Sequence, residues 1–208
     1  MSRVVLASAS PRRRALLAAL IEEFAVVPSD VDEAIEGPPV EVAGKLALAK
    51  ARAVLARDES AVVIGSDTVV ADELRLYGKP ADATDAVAML RALRGRRHLV
   101  ATGVAVCVGG WPPLVDVSEN VVTLNHLTDD AVAAYVASGR PFDKAGAYEI
   151  QDEDVPTVTA LDGCYCAVMG LPLWTLRTLL EEFGVRTKAP HETFPRCAAC
   201  PERTGALD

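Results

Sequence analysis

Short apolar runs alternate with amphipathic stretches along most of the chain, and this alternation predicts strands and helices in turn. The predicted strands cover residues 4–8, 24–28, 61–67, 98–108 and 114–124, with a hairpin over residues 69–80. The predicted helices begin at Pro11 after the N-cap Ser10, cover residues 40–57 and 84–93, follow the cap Thr128, and cover residues 173–183. An acidic stretch with prolines over residues 29–39 predicts a loop. The pattern indicates an α/β fold.

The folded part of the chain is expected to end near residue 183. With 208 residues, 50% of them hydrophobic, the chain can bury the core of one domain or of two close lobes. Residues 184–208 are polar and contain prolines, so we expect them to be appended to the core of a domain over residues 1–183. No apolar run is long enough to span a bilayer, and the first residues lack the apolar region of a secretory signal. We therefore expect a cytoplasmic protein.

The formal charge of −8 argues against two classes of partner. A strongly negative field repels nucleic acid and anionic membranes, and the chain has few aromatic residues on which bases could stack. We therefore expect neither a nucleic acid nor a membrane as partner. An anionic ligand would have to be met by a local basic site, and the arginine cluster over residues 12–14 is the segment that departs from its acidic surroundings.

These three arginines occupy the first turn of the first predicted helix, where the helix dipole favours carboxylates instead. Free backbone N–H groups, the hydroxyls of Ser8 and Ser10, and the guanidinium groups of Arg12 and Arg13 together match phosphate oxygens. We therefore predict an anion site, with Arg14 as a bystander farther round the turn. The alternative is that some arginines only solvate the helix or pair with the acidic loop.

Two carboxylates are candidates for metal binding or proton transfer. Asp67 closes the apolar run of the third predicted strand, and Glu33 lies in the acidic loop. Such groups can share a divalent cation or accept a proton from water. Alternatively, Asp67 only initiates a turn before Thr68 and Glu33 only solvates its loop. Lys50 and Lys79 suit phosphate, although any exposed lysine looks the same in a sequence.

A further polar stretch, FDKAGAYEIQ, covers residues 142–151. It places Asp143 and Lys144 beside a flexible AGA and ends on Gln151. The alternative interpretation is a surface ion pair that precedes a strand and adds little stability.

Five cysteines, an odd number, do not predict a disulfide framework. Cys164 and Cys166 lie in an apolar run and are expected to be small core residues. Cys197 and Cys200 form a C-x-x-C pair that suits zinc or redox chemistry. The four together could complete a thiolate zinc site, or the C-terminal pair could be free thiols, which we favour; the sequence leaves the choice open.

Several of these segments, in order, resemble the Maf family of nucleoside triphosphate pyrophosphatases. The resemblance covers residues 4–183 and rests on SASPRR, VDE, GSDT, GKP, ATGVAV, DKAGAYEIQ and VMGLPL. It implies a mixed twisted sheet flanked by helices, with two lobes around a central cleft. It also implies a divalent cation, Mg²⁺ or Mn²⁺, and cleavage of a nucleoside triphosphate to the monophosphate and pyrophosphate.

The resemblance also implies a role for each matched residue. Asp67 would be the proton acceptor, and Glu33 would hold the metal ion with it or position water. The phosphate-binding set would be Ser8, Ser10, Arg12, Arg13, Lys50 and Lys79. Family members often form homodimers. The family has also been associated with septum formation and division arrest, so the alternative is a nucleotide-binding regulator without turnover.

The choice of base is expected to depend on Gln151. A uracil or thymine edge has one N–H between two carbonyls, and a glutamine amide complements it. The segment DKAGAYEIQ resembles the branch that acts on dTTP and UTP, whereas the branch that acts on 7-methyl-GTP carries an acidic residue in this region. Thr68 and Arg12 are the other expected specificity positions. Alternatively, Gln151 only caps a strand.

Overall fold

The centre of the molecule is a mixed β-sheet, seen in a computed structural model that describes residues 3–152 and 154–203. Within those residues the seven strands are β1 (Val4–Leu6), β2 (Ala25–Val26), β3 (Val62–Ala71), β4 (Leu76–Tyr77), β5 (Arg97–Val108), β6 (Leu114–Leu124) and β7 (Val158–Asp162). The α-helices are α1 (Pro11–Leu17), α2 (Pro39–Leu55), α3 (Ala83–Leu93), α4 (Asp129–Ala137), α5 (Tyr165–Met169) and α6 (Leu173–Glu182). Four short 3₁₀ helices cover Arg140–Asp143, Ala145–Ala147, Pro190–Glu192 and Pro195–Ala199.

The sheet has the order β2-β1-β3-β5-β6-β7, and β4 pairs with β3. β1 is parallel to β2 and β3, whereas the other pairs are antiparallel. Helix α2 covers one face. The other face carries two separate hydrophobic clusters, one with α1, α5 and α6 and one with α3 and α4. These clusters correspond to the two lobes that the resemblance implies.

Strand β3 is longer than its sequence pattern predicts. The predicted strand ends at Asp67, but β3 continues to Ala71, so Asp67 and Thr68 lie within the strand. The prediction was wrong because the first arm of the predicted hairpin is the second half of the same strand. β1 pairs with β3 only as far as Ile64, and β4 begins its pairing at Val70. Among the described residues, no strand covers the edge of β3 between them, and this gap opens the cleft.

Two glycines let α2 pack directly on the sheet. A Cβ added at Gly65 would lie 2.2 Å from the carbonyl oxygen of Ala47, and one at Gly103 would lie 2.2 Å from that of Ala43. Side chains at these positions would therefore push the helix away from β3 and β5. The close approach is what carries Lys50, on the same face of α2, to Asp67.

Most predicted elements agree with the structure to within a few residues at each end. The caps Ser10 and Thr128 are confirmed, since their side chains accept hydrogen bonds from the backbone N–H groups of Arg13 and Ala131. β7 and α5 have no counterpart in the prediction. In the described part of the chain, no helix is both long and apolar enough to cross a membrane.

The C-terminal segment differs from its prediction. It was expected to lie outside the core, but Cys197 is 2% exposed and belongs to the cluster formed by α1, α5 and α6. Val185 and Phe194 pack against the same cluster, so the apolar residues between the polar ones anchor the segment. Residues 204–208 lie outside the described residues.

Candidate functional site

A cleft of about 1170 Å³ opens beside the uncovered edge of β3. Every site residue predicted from the sequence lines this cleft, although the twelve come from six separate parts of the chain. They are Ser8, Ser10, Arg12, Arg13, Glu33, Lys50, Asp67, Thr68, Lys79, Asp143, Lys144 and Gln151. The fold therefore brings the predicted residues together in one place.

Lys50 joins the two candidate carboxylates. Its Nζ donates hydrogen bonds to Oδ1 of Asp67 at 2.5 Å and to Oε1 of Glu33 at 2.6 Å. Lys50 and Asp67 are buried, while Glu33 reaches in from the loop before α2 and is also 4.0 Å from Nζ of Lys79. Burial by itself would raise the pKa of Glu33, but the hydrogen bond and charge of Lys50 outweigh it and hold the pKa below its usual value.

Arg13 lies on the opposite face of β3 from Lys50, because Thr68 and Asp67 are neighbours in a strand and point to opposite sides. Its Nε donates to the carbonyl of Gly170 at 2.8 Å, and its Nη2 donates to Oγ1 of Thr68 at 3.2 Å. Thr102 of β5 in turn donates to Oγ1 of Thr68 at 3.1 Å. Burial lowers the pKa of Arg13, and the charge of Asp67 opposes that shift. The guanidinium is thus a half-buried cation held in a fixed position.

The two serines lie in the turn between β1 and α1. Oγ of Ser8 accepts the backbone N–H of Ser10 at 3.2 Å, and Oγ of Ser10 accepts the backbone N–H of Arg13 at 3.4 Å. These bonds define the turn after β1 and aim the start of α1 into the cleft. Arg14 is exposed and does not line the cleft, in line with its predicted role as a bystander.

The far end of the cleft is a chain of polar contacts between loops. Nη1 of Arg12 lies 2.8 Å from Oδ2 of Asp143, and Nζ of Lys144 lies 2.5 Å from Oδ1 of the same carboxylate. Nζ of Lys144 also lies 3.3 Å from Oε2 of Glu149, which accepts a hydrogen bond from Nε2 of Gln151 at 3.1 Å. Burial would raise the pKa of Asp143, but its bonds to Lys144 and Arg12 hold the pKa below its usual value.

Two details of this end differ from the alternatives raised by the sequence. Lys144 is 8% exposed while the side chain of Asp143 is 58% exposed, so the cation of this ion pair is buried and the carboxylate faces solvent. Gln151 lies in a turn, where it bonds to Glu149, and it does not cap a strand. Burial makes the ionic contacts of Lys144 stronger than those of an exposed pair.

Two aromatic residues of the cleft were not among the residues predicted for the site. Phe142 is 39% exposed and lines the same end as Gln151. Tyr148 is buried, and its hydroxyl lies 2.7 Å from Nε2 of His98 on β5. The aromatic residue directly before Asp143, in an otherwise polar stretch, was the signal that could have marked Phe142 as a surface for a planar ligand.

Known proteins resemble the chain over most of its length. A model of the family described as "Maf-like protein" matches residues 3–183. A dTTP/UTP pyrophosphatase of Moorella thermoacetica is 49% identical, over 89% of this chain and 97% of the relative. A dTTP/UTP pyrophosphatase of Thermomicrobium roseum is 45% identical, over 95% of this chain and 93% of the relative.

A solved structure shows the same fold at lower identity. It is that of a HAM1 protein from Coxiella burnetii, with a TM-score of 0.51 and 18% identity over 88% of this chain and 100% of that chain. The likeness confirms the predicted mixed α/β architecture.

Proposed function

Because the chain belongs to the Maf family, we propose that it is a pyrophosphatase that hydrolyses dTTP and UTP to the nucleoside monophosphate and pyrophosphate. The observation that carries the proposal is the buried Asp67, fixed by Lys50 opposite Glu33, in a cleft that holds Arg13 on its other side. A nucleotide-binding regulator needs the cations of this cleft but has no use for the paired carboxylates.

The phosphate end of the cleft is matched to a triphosphate. Arg12, Arg13 and Lys79 supply positive charge, and the turn that contains Ser8 and Ser10 supplies hydroxyl and N–H donors. Arg13 is held by Gly170 and Thr68 before any ligand arrives, so little reorganisation is needed on binding. Such fixed charges stabilise the charge that develops on the phosphate oxygens during cleavage.

Asp67 is the proposed proton acceptor. Its carboxylate is nearly buried and is held by Nζ of Lys50, so it can take a proton from a water molecule aligned with the α-phosphorus. The attacking oxygen then bonds to the α-phosphorus while the bond to the β-phosphate oxygen breaks, and pyrophosphate leaves. Lys50 holds the pKa of Glu33 below its usual value, and the third N–H of its ammonium can donate to a phosphate oxygen.

Glu33 and Asp67 also fit a divalent cation. One oxygen of each accepts a hydrogen bond from Nζ of Lys50, and the second oxygen of each carboxylate is left to bind the ion. Two carboxylates completed by substrate phosphates are a ligand set that Mg²⁺ and Mn²⁺ accept. When bound, the ion would neutralise phosphate charge and polarise a phosphate oxygen.

The other end of the cleft is proposed to read the base. The bond from Nε2 of Gln151 to Glu149 fixes the plane of the amide, whose oxygen can then accept the single imide N–H of uracil or thymine. Phe142 offers an exposed ring against which a base can lie. Thr68 and Arg12, between the two ends, are the remaining positions that could sense the nucleotide.

The test is pyrophosphate release from dTTP, UTP, GTP and 7-methyl-GTP with Mg²⁺ or Mn²⁺. We expect dTTP and UTP to be cleaved fastest, with pyrophosphate and not orthophosphate as the product. Preference for 7-methyl-GTP would overturn the assignment of the base, and no release from any nucleotide would favour the regulator.

A further inference from the structure

The C-terminal segment holds two cysteines against the core. The backbone N–H of Lys188 donates to the carbonyl of Leu20 at 2.9 Å, so the segment lies against the turn that follows α1. Nε1 of Trp174, in α6, donates to the carbonyl of Cys197 at 2.8 Å. The C-x-x-C pair is therefore fixed against α6 and is not carried on a free tail.

These cysteines meet a second pair at the start of α5, where Cys164 is the N-cap and Cys166 lies in the first turn. Sγ of Cys166 is 3.3 Å from Sγ of Cys197, 31 residues away in the chain. Sγ of Cys164, Sγ of Cys200 and a carboxylate oxygen of Glu202 all lie within 4.8 Å of one another. Each contact thus joins one cysteine of a C-x-C segment to one of a C-x-x-C segment. We call Cys164, Cys166, Cys197 and Cys200 the thiol cluster.

The distance between Cys166 and Cys197 suits a shared metal ion better than a disulfide. Sulfurs in a disulfide are about 2.05 Å apart. In a tetrahedral site with zinc–sulfur bonds of about 2.3 Å, neighbouring sulfurs are about 3.8 Å apart. The 3.3 Å between Cys166 and Cys197 is closer to the edge of that tetrahedron. Two short-spaced pairs of cysteines are also the usual way in which two chain segments enclose one ion.

Strand β6 fixes both of the segments that carry the cluster. Oδ1 of Asn120 accepts the backbone N–H of Cys164 at 2.6 Å, and Nδ2 of Asn120 donates to Oγ of Ser118 at 3.0 Å. Ser118 donates to one carboxylate oxygen of Glu202, and Thr175 donates to the other at 2.9 Å. Both carboxylate oxygens of Glu202 accept hydrogen bonds, and these bonds anchor the segment of Cys200 beside the other thiols. Support of this kind around a ligand set is typical of metal sites.

We propose that the thiol cluster is a structural zinc site in which four cysteine thiolates hold one Zn²⁺ ion. The four thiols release their protons to solvent as the ion binds, and no coordination position remains open for a substrate. The site lies at the start of α5, whose C-cap Gly170 accepts hydrogen bonds from Arg13 and Ser66. It would fix the C-terminal segment and α5, and it does not depend on the proposed activity.

Metal analysis of the full-length chain, purified without added metal or chelator, tests the proposal. We expect about one zinc per chain in the wild type and at least a fivefold lower content in Cys200→Ser, since loss of one of four ligands opens the site. Cys107→Ser is the matched control, because Cys107 is a buried free cysteine of β5 outside the cluster. Asp67→Asn should keep its zinc, which separates this site from the cleft.

Cobalt substitution keeps the proposal testable if Cys200→Ser does not fold. Wild-type chain freed of metal and titrated with Co²⁺ should show sulfur-to-cobalt charge-transfer bands and the visible bands of tetrahedral cobalt, saturating at about one ion per chain. Zinc that is retained in Cys200→Ser would overturn the proposal, whatever the content of Asp67→Asn. A chain that contains no zinc and shows no cobalt bands would also overturn it. The same holds for a chain that contains no zinc and whose thiol cluster is oxidised to disulfides.

Discussion

The two ends of the cleft are formed by different kinds of secondary structure. The phosphate end rests on regular elements, with Asp67 and Thr68 in the middle of β3 and Lys50 on α2. The base end, residues 140–152, consists of two 3₁₀ helices and a turn held by ion pairs. Chemistry on a triphosphate needs charges at fixed positions, which strands and helices provide. Loops can change their side chains without disturbing the sheet, so specificity is expected to vary at the other end.

Among the variants that compare the two ends, the largest expected effect is at the phosphate end, on Arg13. Arg13→Ala should lower kcat/KM for dTTP by about 100-fold or more, because it removes a positioned cation from the phosphate site. Arg14→Ala, one residue farther along and exposed, should change kcat/KM by less than about twofold. Steady-state kinetics of both variants make the comparison, and similar losses in the two would contradict the assignment of Arg13.

The base end has an acid-sensitive link to the sheet through His98 and Tyr148. Burial lowers the pKa of His98 to about 4 from an ordinary value of 6.5. A pKa lowered on folding means that the stability is present above pH 6.5 and is lost as the pH falls toward the folded pKa. The free energy of unfolding, measured with urea, should therefore fall by up to about 3 kcal/mol between pH 6.5 and pH 4.

In His98→Gln, the loss over this acid range should be much smaller, because the side chain no longer titrates. Glu33 and Asp143 also lose stabilising charge, but at lower pH because their pKa values are lowered. If the free energy of unfolding depended on pH in the same way in the wild type and in His98→Gln above pH 4.5, His98 would not be the source of the acid sensitivity.

The docking of α2 should matter more for the phosphate end than for the base end. Gly103→Ala places a Cβ 2.2 Å from the carbonyl of Ala43, so α2 and Lys50 must shift. We expect a loss of about 2 kcal/mol in the free energy of unfolding, together with a lower kcat for both dTTP and UTP. Gly78→Ala is the control, because a Cβ there has no atom within 4 Å. Denaturant titration and steady-state kinetics make the comparison. Equal free energies of unfolding and equal kcat values in Gly103→Ala and Gly78→Ala would contradict the role of the close packing of α2.

The smallest effect is a change of preference at the base end. Gln151→Glu should shift the kcat/KM ratio of dTTP to 7-methyl-GTP by about tenfold toward the purine, since a polar mismatch is worth about 1–3 kcal/mol. The rate with the preferred nucleotide should fall less than in Arg13→Ala. An unchanged ratio would mean that Gln151 does not contact the base.

The sequence predicted which residues share the cleft better than it predicted how they are held. Motifs such as GSDT and SASPRR carry their chemistry in adjacent residues, so Asp67, Thr68, Ser8 and Arg13 could be found without a fold. The contact of Lys50 with Asp67 could not, because it depends on how closely α2 approaches Gly65 and Gly103.

Other features depended on pairing between distant segments. β7 is a short strand with little alternation, and its pairing with β6 defines it. The run of Cys164 and Cys166 is apolar enough for a core segment, and only the fold shows that Cys197 and Cys200 lie against it. The turn-forming pattern after Asp67 is typical of a strand end, so the sequence predicts that β3 ends at Asp67, although the strand continues to Ala71.

Turnover and binding by Asp67→Asn, measured on one preparation, test the central claim most directly. The variant should fold and bind dTTP with an affinity close to that of the wild type, because the cations of the phosphate end are unchanged. Its release of pyrophosphate should fall by at least about 1000-fold, since the amide cannot accept the proton from water. Turnover within about tenfold of the wild type would contradict the role of Asp67 as proton acceptor, and with it the account of the cleft as a hydrolytic site.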